Sequence, residues 1–374
     1  MHFETLAIRT GNEPDESTGA IAPPINLSTT FEHAADGAGS HGFTYIRDAN
    51  PTQERLERAL AAIDSAAGAL AFASGMAAAS AILQSLPRGS HVLIADDCYY
   101  AVRILANDYF PRWGIEHDFV AMDVAGAMRG AIRDNTRALW TESPSNPLMK
   151  ICDLAALAAI AHDAQAMLIV DGTFATPALQ RPIELGADVV VHSTTKYLGG
   201  HSDVQGGSAA FRKRGDLFDA VETMRTISGG VASPFNSWLV LRGIRSLAAR
   251  MRVHSANARA IAAMLAQHPR VEAVHYPGLP SDPGHEIAKR QMSDFGGMLS
   301  FRLRGGRDAA IALIPKLKVF TCATSLGGVE SLIEHRASSE GPTSRTPQNL
   351  LRVSVGLEHV DDLIEDLRQA LGER

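Results

Sequence analysis

Residues 188–203 read DVVVHSTTKYLGGHSD, a short valine run that ends in a histidine and passes into hydroxyls and a lysine. An apolar run this short and this β-branched is a strand buried on both faces. Lys196 then stands just beyond its carboxyl end. Upstream, four similar runs recur: ALAFA (69–73), HVLIA (91–95), RALWT (137–141) and MLIVD (167–171). Helical patterns separate them: one opening at Gly75, one around residues 100–109, and DLAALAAIAHDA at 153–164. Alternating strands and helices with doubly apolar strands predict an α/β fold whose mostly parallel sheet is covered by helices. In such sheets the ligand lies at the carboxyl ends of the strands, where Lys196 is expected.

The flanks differ. Residues 1–48 read as an irregular arm rich in Gly, Pro and small polar residues. A helix is expected after it, capped by Asn50 with Pro51 at its first position, placing Leu56, Ala59, Leu60 and Ile63 on one face. From Ser233-Pro234 the pattern changes. A long helix is predicted from about Pro234 to Gln267, followed by strands at 298–303 and 349–356 and a terminal helix at 360–371. These suggest an arm (1–48), a ligand-binding domain (49–233) and a smaller C-terminal α/β domain (234–374). SSEGPTSRTPQ (338–348) is expected to be a flexible loop.

The 374 residues are 45% hydrophobic and 20% charged, with a formal net charge of -6 and no basic stripe, which argues against a nucleic-acid partner. No apolar stretch approaches the roughly 20 residues that span a bilayer. No signal peptide is evident, and three scattered cysteines (Cys98, Cys152, Cys322) suit a reducing compartment, so the expected location is the cytoplasm. The histidines show no ligand spacing that would build a metal site.

Three features point to chemistry. Ser74-Gly75-Met76 lies between a strand and a helix, where first-turn N–H groups and the helix dipole favour an anion; small residues at such turns are also commonplace. Neither GxGxxG nor a Walker sequence is present. Asp171 ends the most apolar strand, and a carboxylate there needs a partner, either a structural cation or a protonated ring nitrogen. Lys196 is flanked by Ser193 and Thr195. A lysine after a strand is commonly a surface residue, but one flanked by hydroxyls and preceded by a buried acid can have a lowered pKa and attack a carbonyl.

Together Ser74-Gly75-Met76, Glu142-Ser-Pro-Ser-Asn-Pro147, Val170-Asp-Gly-Thr-Phe174, His192-Ser-Thr-Thr-Lys-Tyr197 with Gly-Gly-His201-Ser-Asp203, and Ser325-Leu-Gly-Gly-Val-Glu-Ser331 resemble the transsulfuration (Cys/Met metabolism) family of fold-type-I pyridoxal-phosphate enzymes. The resemblance runs from the arm to the terminal helix. It implies the cofactor pyridoxal 5'-phosphate, with Lys196 forming the Schiff base and moving protons. Asp171 would pair with the pyridine nitrogen, and Tyr99 would stack on the ring and exchange a proton. Gly75, Met76, Ser193 and Thr195 would hold the phosphate, joined by Tyr45 and Arg47 reaching a neighbouring subunit. Asn146, Ser325 and Arg352 would handle the substrate carboxylate or the cofactor's phenolic oxygen; the planar fork of Arg352 suits a carboxylate. An interface site of this kind implies a homo-oligomer, in this family usually a tetramer.

The implied activity is γ-replacement or α,γ-elimination on a γ-substituted amino acid, of the cystathionine γ-synthase or γ-lyase type. Leu326 and Glu330 resemble the γ-acting members, and the segments at 142–147 and 284–288 are most similar to the γ-synthases. Thr44, Tyr100-Ala101 and the loop at 338–348 depart from the family pattern near the substrate end. A γ-lyase for another γ-substituted amino acid, a β-lyase, an aminotransferase-like enzyme and a non-catalytic cofactor-binding homologue remain open on the sequence.

Overall fold

The computed structural model describes residues 1–39, 41–342 and 344–372. Its larger sheet has seven strands: β1 (Gly68–Phe72), β2 (His91–Ala95), β3 (Glu116–Val120), β4 (Thr136–Glu142), β5 (Met167–Asp171), β6 (Val189–His192) and β7 (Gly207–Phe211). They lie in the order β1-β7-β6-β5-β4-β2-β3. Strands β2 to β6 run parallel, and β7 is antiparallel to both neighbours. The apolar runs become strands because helices cover both faces, leaving Leu93, Leu139, Ile169 and Val190 without solvent contact.

A second sheet holds β8 (Val271–His275), β9 (Met298–Leu303), β10 (Thr321–Cys322), β11 (Leu332–His335) and β12 (Leu350–Ser354), in the order β10-β11-β12-β9-β8. The helices Leu247–Gln267 and Val360–Leu371 contribute to its core. The two sheets meet around Tyr197. Its ring is fully buried, and Gly327, at φ +78°, passes so close that a Cβ would lie 2.6 Å from the Tyr197 nitrogen. Only glycine combines that backbone with that approach.

Several expectations need correction. The irregular arm begins with a helix, Phe3–Arg9, whose buried Ala7 packs in the same core as Leu56 and Leu60. Seven residues carry too little periodicity to declare themselves; tertiary packing holds them. The single helix over 234–267 is two, Pro234–Ile244 and Leu247–Gln267. The carbonyl of Gly243 is taken by Ser246 Oγ and Arg250 Nη2, so the helix turns there with no proline involved. The helix around 100–109 becomes a π segment over Leu105–Tyr109, continuing as Phe110–Trp113. Pro111, which lacks an N–H, disrupts the regular ladder. The loop at 338–348 is partly ordered by the helix Arg336–Glu340, with Thr343 outside the described residues. Glu340 Oε2 accepts hydrogen bonds from Ser344 and Thr346, pinning the turn.

The helix Pro51–Ile63 starts as expected, with Asn50 Oδ1 accepting from Thr52 N. Asn50 Nδ2 also donates to Asn26 O, and Thr52 Oγ1 accepts from Asn26 N, so one cap ties the arm to the sheet. Asn50→Ala is expected to cost about 1–2 kcal/mol, seen as a lower denaturant midpoint. An unchanged midpoint would show that the cap does not anchor the arm.

Candidate active site

A cavity of about 560 Å³ opens where the carboxyl ends of β4, β5 and β6 face the loop that precedes β11. Ten residues singled out in the sequence line it: Gly75, Met76, Tyr99, Asn146, Asp171, Ser193, Thr195, Lys196, Ser325 and Arg352. Tyr45 and Arg47 do not. They lie on the arm, with the Arg47 guanidinium 5.4 Å from the centroid of the half-exposed Tyr45 ring.

Lys196 Nζ donates to Ser325 Oγ at 2.6 Å. Burial, followed by the positive charge of Arg352, pulls its pKa down to about 8, and Glu334 opposes the shift only in part. The neutral form, which attacks a carbonyl, is therefore a far larger fraction near physiological pH than in a free lysine. Ser325 sits at φ +79°, a conformation that serine adopts rarely and that surrounding bonds must enforce. Arg352 Nη2 donates to its carbonyl oxygen, and Gly327 N donates to Ser354 Oγ just beyond it.

Arg352 is itself buried on β12. Its Nη1 donates to Asn146 Oδ1 at 3.0 Å, and its Nη2 also meets Glu334. These bonds offset the desolvation of the guanidinium and fix its plane.

On the opposite wall, Asp171 Oδ1 accepts from Thr173 N. Burial raises the Asp171 pKa, while Thr173 and His192 oppose the rise. His192 lies behind it, with Nε2 3.0 Å from Asp64 Oδ1 and both side chains buried. Burial alone would lower the histidine's pKa; Asp64 outweighs it and the net direction is up, which favours the imidazolium. Glu142, beside Asp171 across the β4–β5 ladder, accepts from Tyr99 N at 2.6 Å. Burial and the charge of Asp171 push its pKa well above the usual carboxylate range. Burial pushes both carboxyls up, Glu142 the further, because His192 opposes the rise at Asp171 and the charge of Asp171 adds to it at Glu142. Burial, with Tyr100 adding to it, also raises the Tyr99 phenol, so its hydroxyl stays protonated.

The helix Gly75–Gln84 points its first turn at the same cavity. Ser74 Oγ takes the N–H of Ala77, while the N–H groups of Gly75 and Met76 have no intrahelical carbonyl to meet. A Cβ on Gly75 would lie 3.0 Å from Ser193 Cβ, so glycine keeps this cradle open. The Thr195 hydroxyl is engaged in both directions by Gly206, which makes Ser193 the freer hydroxyl. A helix N-terminus for a phosphate, a carboxylate for a pyridinium, an aromatic ring and an amine of lowered pKa share one cavity; this donor set fits pyridoxal phosphate.

Sequence reasoning assigned no role to Glu142, Thr173, Glu334 or Arg336. Glu142 carried a signal: an acid ending a strand as buried as RALWT must be neutral or paired. Glu334 and Arg336 carried none, since their burial follows from how β11 packs.

The family model for Cys/Met metabolism PLP-dependent enzymes matches residues 4–372. The chain is 49% identical to a cystathionine gamma-synthase of Mycobacterium tuberculosis over 376 residues, covering 98% of this chain and 96% of that protein. It is 43% identical to a cystathionine gamma-lyase of Bacillus subtilis, covering 99% of each. The crystal structure of metB from Corynebacterium glutamicum superposes with a TM-score of 0.97 at 41% identity, covering 99% of this chain and 98% of that one.

A folded-state pKa of about 8 at Lys196 fixes the direction of a pH effect. Cofactor-free protein should capture added aldehyde faster as pH rises towards about 8, where the neutral amine comes to dominate, and level off above it. A rate still climbing near the free-lysine pKa of about 10.4 would contradict the buried setting described for this amine.

Proposed function

This chain belongs to the Cys/Met metabolism family of pyridoxal-phosphate-dependent enzymes, and on that footing we propose that it replaces or eliminates the γ-substituent of an amino acid. Cystathionine γ-synthase chemistry is the reading best supported, with γ-lyase chemistry on the same residues second. The observation that carries it is the arrangement in one cavity of Lys196 on Ser325, Asp171 on the opposite wall and Arg352 between the sheets. Leu326, buried beside Ser325, supports γ- over β-chemistry through its resemblance to γ-acting members.

When bound, pyridoxal phosphate supplies an electron sink for the charge left at Cα. Gly75, Met76 and Ser193 would hold its phosphate, with Thr195 supporting the turn. Asp171 would hold its ring nitrogen protonated, Tyr99 would lie against the ring, and Asn146 would contact its phenolic oxygen. Arg352 orients the substrate carboxylate through its fixed fork. Lys196 Nζ, positioned by Ser325 Oγ, would take the proton from Cα and, once that proton has been passed on and the amine is neutral again, a second one from Cβ. The Tyr99 hydroxyl gives its proton to the group departing from Cγ. A thiol adding at Cγ completes replacement; hydrolysis instead yields a 2-oxo acid and ammonia.

We further propose that residues 1–48 act as an arm bringing Tyr45 and Arg47 to a neighbouring subunit's phosphate site, giving at least a dimer and, as the family resemblance suggests, a tetramer. Residues 49–233 would form the cofactor domain and 234–374 the smaller domain. A cytoplasmic location fits the unpaired Cys98, Cys152 and Cys322. Among the described residues, no helix is long and apolar enough to cross a membrane.

Holoenzyme given O-acetylhomoserine or O-succinylhomoserine with cysteine should form cystathionine, and Lys196→Ala should lower that rate roughly a thousandfold, on the scale of a lost acid–base group. If 2-oxobutyrate and ammonia from cystathionine are the only products, the lyase reading replaces the synthase. Amino-group transfer to a 2-oxo acid without ammonia would overturn both.

A further inference from the structure

Arg336 lines the substrate end of the same cavity, and it is 4% exposed. Its Nε donates to Glu340 Oε1 at 3.0 Å, and its Nη1 donates to Glu334 Oε1 at 3.3 Å. Its carbon Cζ sits 5.3 Å from the centroid of the Tyr100 ring. Two carboxylates and an aromatic face thus fix the guanidinium plane. Nη2 is buried and has no hydrogen-bond partner among the described residues. Arg212 and Arg225, ion-paired away from the cavity, each leave only a buried Nε unmet; at Arg336 the unmet donor is a whole terminal nitrogen, on a residue that lines the cavity.

Arg352 is placed differently. Both of its terminal nitrogens already meet protein acceptors, Asn146, Ser325 and Glu334. Nη1 of Arg352 keeps one further N–H for the α-carboxylate, whereas at Arg336 a whole terminal nitrogen is unspent. The carboxylates lining the cavity are Glu142 and Asp171, both beside the cofactor end. A ligand group at the Arg336 end therefore meets a fixed cation and no free acid.

We propose that Arg336, braced by Glu334 and Glu340 and laid over Tyr100, forms a second anion subsite that takes a carboxylate at the far end of the substrate's γ-substituent. The proposal rests on the γ-substituent reading of the reaction and deepens it. Arg352 takes the α-carboxylate and Arg336 the distal one. The preferred substituent ends in a carboxylate alone, as in a dicarboxylic half-ester. One ending in an amino-acid zwitterion brings an ammonium that has no acidic partner there.

The test is calorimetric titration of holoenzyme with three seven-carbon amino acids that lack a γ-leaving group. 2-Aminopimelate ends in a carboxylate, 2,6-diaminopimelate adds an ammonium beside it, and 2-aminoheptanoate ends in a methyl. The expected order is 2-aminopimelate tightest, at least roughly tenfold over 2-aminoheptanoate, the scale of a charge-assisted hydrogen bond. Arg336→Gln should erase that preference while changing 2-aminoheptanoate little. Should Gln at this position leave Glu334 and Glu340 too exposed to one another for folding, the double variant Arg336→Met/Glu340→Gln keeps the charge balance and should behave the same way. Equal wild-type affinities, an equal loss of all three ligands in the variants, or 2,6-diaminopimelate binding tightest would each overturn the assignment. Binding is read without turnover, so the two ideas fail separately. Preference without γ-chemistry would count against the reaction, and γ-chemistry without preference against the subsite.

Discussion

A guanidinium removed from water is tolerated only where protein groups replace its hydration, and Arg352 is such a group. It stands on the smaller sheet, reaches Asn146 beyond β4 of the larger one, and donates to the carbonyl of Ser325. Three elements distant in sequence meet at one planar ion. Its bond to Ser325 helps hold a serine at positive φ, and that serine receives the hydrogen bond from Lys196. Its charge also helps lower the lysine pKa. Arg352 thus joins the sheets, places the lysine's partner and tunes the lysine.

The opposite wall obeys the same economy of charge. Two carboxyls, Glu142 and Asp171, end adjacent parallel strands at the wall of the cavity. Their environments separate them: burial and the charge of Asp171 push Glu142 well up against the pull of the Tyr99 N–H, whereas His192, which Asp64 favours as a cation, opposes the rise at Asp171. Such separation lets one strand end position an aromatic ring while its neighbour offers an anion.

Much of this was legible because burial leaves marks on a sequence. Five valine-, leucine- or alanine-rich runs became β1, β2, β4, β5 and β6, and the polar residues just past them became walls of the cavity. Arg352, inside NLLRVSVG, was singled out by the family resemblance. What stayed hidden lacked such marks. The edge strand β3, EHDFV, is partly solvated and alternates poorly, and β7, GSAAF, is built of small residues that only a central position between two strands makes extended. The break after Ile244 depends on a carbonyl diverted to Arg250, a tertiary event no local pattern records. Arg336 had no role assigned from the sequence; its burial against Glu334 and Tyr100 exists only once the sheets have met.

The central claim is that Lys196, and no other lysine, is the covalent anchor of the cofactor. Borohydride reduction of the protein loaded with pyridoxal phosphate, followed by proteolysis and peptide mass spectrometry, tests it most directly. The account predicts one stoichiometric pyridoxyl adduct, on the peptide that carries Lys196. An adduct on Lys150 or another lysine, or none at all, would contradict it.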